Sequence, residues 1–183
     1  LGYECGFACL KPGKFPDCRV SQSSPIYAIP MRSRFDLSPV KTVAQLIKQQ
    51  GYQILHTHTP RAALIGRFAA ARAGVPMVHH VHSPTRRDTE SRMRNLLNTA
   101  IENLSLSRVS RLVAVSHSLQ GYLRECGFAD SRIGVVPNGV PVMRQACDWQ
   151  APTGEWVIGM VALFRPRKGL EVLLQAMALL RAA

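Results

Sequence analysis

Short apolar runs alternate with helix-patterned segments along most of this chain, and that order leaves few folds open. The opening "LGYECGFACL" and "IYAIP" (26–30) read as strands. "SPVKTVAQLIKQQG" reads as a helix with Ser38 as N-cap, Pro39 at the first position, Val43, Leu46 and Ile47 on one face, and Gly51 as stop. "YQILHTH" is a strand, and "PRAALIGRFAAARAG" is an Ala-rich helix from Pro60 to Gly74. "VPMVHHVH" is the next strand, and residues 88–108 are helical. The cycle continues through strand "SRLVAVS", helix "HSLQGYLRECG" and strand "RIGVVPNG". Continuous apolar strands that alternate with helices build a parallel sheet covered on both faces, an α/β class.

Residues 141–155, "PVMRQACDWQAPTGE", are polar, hold two prolines and have no period, so they read as a linker after a first domain at 1–140. The pattern restarts at 156–183 with strand "WVIGMVALF", basic turn "RPRKG" and helix "LEVLLQAMALLRAA". One strand-helix unit cannot bury its own apolar faces, so the expectation is a second domain cut short. The absence of an initial Met raises the same expectation for the N-terminus.

Of the 183 residues 46% are hydrophobic, enough for a real core, so disorder is excluded as the main state. The net charge of +12 favours polyanionic partners such as phosphorylated ligands or an anionic lipid surface. Five cysteines show no CxxC spacing, which argues against a disulfide framework or structural zinc and for a reducing, cytoplasmic setting. No apolar run approaches the roughly 18 residues that span a bilayer. No Lys/Arg-led secretory signal opens the chain.

In a parallel sheet, ligands bind beyond the carboxyl ends of the strands. The residues that follow each strand are therefore the candidates: His56, His58, His82, Ser83, Ser116, Asn138 and Gly139. Five of the six histidines stand at the ends of two apolar runs, "YQILHTHTP" and "VPMVHHVHSP". Residues two apart on a strand share a face, so His56, His58, His80 and His82 could converge on a metal, while His79 alternates into the core. No Asp, Glu or Cys stands beside them, and the reading adopted is no metal.

Lys168, with Arg165 and Arg167, forms a basic turn between a strand and a helix. Cations and helix N-terminal amides there suit a diphosphate, and Gly169 lets the backbone approach closely. No GxGxxG and no GxxxxGK[ST] occurs, so nicotinamide and P-loop chemistry lack their signatures. Asn138-Gly139 most simply makes a turn, and Ser116 caps the helix that follows it while standing where an acceptor could touch it. Arg86, Arg87, Arg92 and Arg94 form a basic stretch, either a solvated face or a docking site for anionic lipid. The stretch has no interleaved aromatics and matches no nucleic-acid module, so nucleic acid is not assigned as a partner.

The succession "RIGVVPNGVPV" then "VIGMVALFRPRKGLEVLLQAMALL" resembles the family-four glycosyltransferases of the GT-B fold. Upstream, "ILHTHTPRAALIGRFAAARAGVPMVHHVHSP" and "RLVAVSHSLQGYL" resemble the same family's first domain, so the likeness runs from Tyr52 to the end. The resemblance implies two Rossmann-like domains across a cleft, the first for acceptor and the second for nucleotide-sugar. It implies sugar transfer with retention and no required metal or cofactor, the nucleotide-sugar being a co-substrate. The acceptor would be lipid-linked, a saccharide or a small molecule, with the enzyme cytoplasmic or peripheral on the inner membrane face. His82 is placed like the family histidine that faces the cleft, where it would act as the catalytic residue. Lys168, Arg165, Arg167 and Gly169 would hold the donor, and His58, Ser83, Ser116 and Asn138 would line the acceptor side.

The chain also departs from that family. Leu163 stands where the family usually has an arginine. The family's first strand and glycine-rich loop would precede Leu1, and its donor-holding acidic residues would follow Ala183, so the segment alone is expected to be inactive. Two other readings stay open: a GT-B nucleotide-sugar epimerase, and a non-catalytic basic α/β module that binds anionic lipid or nucleic acid.

Overall fold

The structure is a computed structural model. It describes residues 2–11, 13, 15–18, 21–33, 36–84, 92–139, 150–164 and 168–182. The chain divides into two compact units, Leu1–Val140 and Pro141–Ala183.

In the first unit, β1 (Phe7–Cys9) and β2 (Ile26–Ala28) pair in parallel, with a helical turn α1 (Phe15–Cys18) between them. A second sheet has the order β3-β4-β5-β6, built from Leu55–Thr57, Met77–Val81, Arg111–Ala114 and Ile133–Val135. All its pairs are parallel. The helices between these strands are α2 (Pro39–Gln50), α3 (Pro60–Ala73), α4 (Arg92–Leu106) and α5 (His117–Glu125). Parallel strands need such crossovers, and the crossovers supply the cover.

Helix α3 shows why the alanines are there. Its Ala63 and Ala70 pack with Met77, Val81, Leu112 and Leu123 in one cluster. Its Ile65 and Ala69 pack with Val43, Ala44 and Ile47 of α2 in another. A helix buried on two sides needs short side chains to let its neighbours approach. Gly66 carries this furthest: a Cβ there would lie 2.7 Å from Thr57 Cγ2 on β3. Fully buried Leu106 and Leu112 each contribute about 1.5–3 kcal/mol by leaving water.

The helix ends follow chemistry that the sequence carries. Thr59 Oγ1 accepts from the Ala62 N–H at 3.2 Å to cap α3, and Ser116 Oγ accepts from the Leu119 N–H at 3.2 Å to cap α5. Gly51 and Gly74 close α2 and α3 with φ of 69° and 78°, in the left-handed region. Ser38 departs from expectation. It precedes Pro39, but its own backbone is already helical and its side chain makes no capping bond. Asp36 acts there instead, accepting from the Arg32 and Ser38 N–H groups at 2.9 Å each. These bonds hold its carboxyl down to about 2.

In the second unit, α6 (Leu170–Ala182) forms as the apolar period requires. The expected strand at 156–164 does not: those residues are exposed and carry no ladder bonds. A strand is defined by its ladder, and no described residue forms a β-ladder with this run. The Asn138-Gly139 turn would take in residue 140, which lies outside the described residues.

Candidate active site

The register of β3 on β4 decides which histidines meet. Leu55 pairs with Met77, His56 with Val78 and Thr57 with His79. Alternation then puts His56, His58, His80 and His82 on one face and Thr57 and His79 on the other.

On the inner face, His79 is 3% exposed and its Nδ1 lies 2.8 Å from Thr57 Oγ1. Burial, and then the imidazoles of His58, His56, His80 and His82, push its pKa down to about 4. It is a neutral core histidine, as its position in the strand foretells.

On the outer face the four imidazoles stack. Ring centroids are 4.5 Å apart for His56–His58, 4.6 Å for His80–His82 and 5.3 Å for His58–His80. His58 Nδ1 lies 3.2 Å from His82 Nε2. Partial burial, then the charges its neighbours would carry, push His58 down to about 4. Burial lowers His56 and His80 as well. At neutral pH these three rings are therefore uncharged and able to accept or donate hydrogen bonds.

His82, the last of the row, is exposed just past the end of β4. It lines a cavity of about 360 Å³ with Ser116, Ser118, Gly121, Tyr122 and Glu125. The strand places His82 there, and α5 lines the cavity from Ser118 to Glu125. Ser118, Tyr122 and Glu125 went unnoticed in the sequence; their i, i+4, i+7 spacing on α5 was the available signal.

The other candidates spread more widely. Ser83 is exposed beside His82, and Asn138 is exposed three residues beyond β6. Lys168 and Gly169 belong to the second unit, where Lys168 is exposed. Gly169 has φ 73° and its carbonyl accepts from the Leu173 N–H at 2.9 Å at the start of α6. Arg165 and Arg167 lie outside the described residues, as do Arg86, Arg87 and the side chains of Arg92 and Arg94. Among the described residues no helix is long and apolar enough to cross a membrane.

Residues 1–144 match the family profile of Glycosyltransferase Family 4. This chain belongs to glycosyltransferase family 4. An Escherichia coli relative, UDP-Gal:alpha-D-GlcNAc-diphosphoundecaprenol alpha-1,3-galactosyltransferase, is 29% identical over 113 residues, 61% of this chain and 29% of its own length. A phosphatidyl-myo-inositol mannosyltransferase of Propionibacterium freudenreichii is 25% identical over 156 residues, 82% of this chain and 39% of its own. This family-four chain thus spans about a third of the length of the curated relatives it matches.

The structure of Anabaena HepE in complex with UDP superposes with a TM-score of 0.52 at 21% identity, covering 63% of this chain and 31% of that one. HepE in complex with UDP-glucose gives 0.52 at 23% identity, with the same coverage. The α/β architecture of this family-four chain is thus the GT-B type.

Proposed function

We propose that the chain forms the acceptor side, and the beginning of the donor side, of a retaining glycosyltransferase. The observation that carries this is His82, exposed past the end of β4 on a cavity it shares with Ser116, in a chain of this family. In the reaction an acceptor hydroxyl oxygen bonds to the anomeric carbon as the bond to the nucleotide diphosphate breaks. The hydroxyl proton leaves with the diphosphate, and the new bond forms on the face the diphosphate vacates. His82 donates a hydrogen bond to a sugar hydroxyl near the reacting carbon, and its ring is held by His58. Ser83, Ser116 and Asn138 contact the acceptor.

Lys168, with Arg165, Arg167 and the backbone at Gly169, neutralises the diphosphate as charge develops on it. That electrostatic role is the one a divalent ion would otherwise fill, and the transfer proceeds without one. Both relatives carry a lipid acceptor in their names, and the chain's +12 charge suits an anionic membrane surface, so the acceptor class is a lipid-linked phosphate or diphosphate.

The test is incubation of the full-length gene product with a panel of UDP- and GDP-sugars and polyprenyl-phosphate-linked or phosphoinositide acceptors in chelator. The expected result is one donor–acceptor pair that yields an α-linked product from an α-linked donor. Donor epimerised without transfer would assign the epimerase activity instead.

A further inference from the structure

We propose that His56, His58 and His80 form a binding site for a divalent transition-metal ion, separate from any need of the transfer reaction. One ring nitrogen from each of the three lies within 4.8 Å of the others. A tetrahedral zinc with metal–nitrogen bonds of about 2.0–2.1 Å brings its ligands closer than that, a gap that small rotations of the imidazoles close.

Two further observations converge on the same place. The ligands are fixed by backbone, not by flexible stems: His56 and His58 stand two apart on one strand end, and His80 stands on the neighbouring strand in register with them. Among the described residues, His80 Nε2 is buried with no hydrogen-bond partner, a state that calls for an explanation.

The donor set selects the ion. No carboxylate belongs to the group, which disfavours calcium and magnesium, and uncharged imidazole suits zinc, nickel and copper. His82 Nε2, 3.2 Å from His58 Nδ1, stands at the edge of the group, and water fills the fourth position.

The experiment is calorimetric titration of zinc chloride into untagged, chelator-stripped protein at pH 7.5, repeated for His58→Ala, His56→Ala, His80→Ala and His117→Ala. His56 and His58 are exposed, so their replacement leaves the core intact. His117, on α5, is the histidine that stands on neither β3 nor β4 nor at their ends, and it serves as control. The expected result is one zinc per chain, weakened at least about 10-fold in each of the three ligand variants and unchanged in His117→Ala. Absence of one-to-one binding, or equal affinity across all four variants, would overturn the site. The readout is binding alone, so it stands or falls independently of the sugar-transfer reading, which predicts activity in chelator.

Discussion

His58 Nδ1 and His82 Nε2 stand 3.2 Å apart across the ends of β3 and β4. One ring therefore orients the other, and the ring being oriented is the one that faces the cavity beside Ser116. A histidine held by another histidine keeps its direction without the negative charge a carboxylate partner would add.

It follows that His58→Ala should lower turnover without abolishing it, by about 3–10-fold, the cost of losing one neutral orienting hydrogen bond. His58→Gln, which keeps a hydrogen-bonding group near the same place, should recover part of the loss. Steady-state kinetics of the three proteins check this, and the loss is expected in kcat more than in KM.

Thr57 and His79 make the matching pair on the buried face, 2.8 Å apart. Replacing Thr57 by Val keeps the shape and strands the imidazole nitrogen, which should cost about 1–3 kcal/mol of stability. Denaturant unfolding measures it.

The same His79 makes stability depend on pH in a stated window. Its pKa is about 4 in the folded chain and 6.5 in the unfolded one, so the unfolded chain binds more protons between those values. The stability it contributes is complete above pH 6.5 and is lost as pH falls toward 4. Unfolding midpoints recorded from pH 7.5 to 4 should decline through that range, and the decline should be shallower in His79→Leu.

Gly66 is a packing prediction. A methyl group there would sit 2.7 Å from Thr57 Cγ2, on a β-branched side chain with little freedom to turn aside. Gly66→Ala should destabilise by about 1–3 kcal/mol although alanine is the better helix former. A thermal melt of the variant gives the sign.

Much of this was legible in the residues. Pro60 and Gly74 bracket α3, Ser116 caps α5, and the two-residue alternation sends His79 inward, because local backbone chemistry decides each of these. The failures were of another kind. At Ser38 the side chain makes no capping bond, and Asp36 instead holds the entry to the helix through the Arg32 and Ser38 N–H groups, a neighbour effect that a single-position rule does not weigh. At 156–164 the apolar pattern fits a strand, but a strand also needs a partner, and pairing is not written in the run itself. The zipper of His56, His58, His80 and His82 required the register between β3 and β4, which emerges only once the sheet is built.

Lys168 opens the second unit's helix region as an exposed cation. If it neutralises the donor's diphosphate, Lys168→Ala should weaken donor binding by about 1.5–3 kcal/mol, the worth of a charged hydrogen bond. Calorimetric titration of the nucleotide-sugar into both proteins, each as the full-length gene product, reads this directly.

The most direct measurement is the turnover of His82→Ala beside the unaltered protein, both as the full-length gene product, with a donor and acceptor on which the latter is active. His82 is exposed and carries no core packing, so the variant should unfold at the same temperature. Turnover should fall by about 10²-fold or more, the size of losing one positioned polar group at the reacting centre. Turnover within a few-fold of the unaltered protein, with the fold intact, would contradict the placement of the chemistry at this strand end.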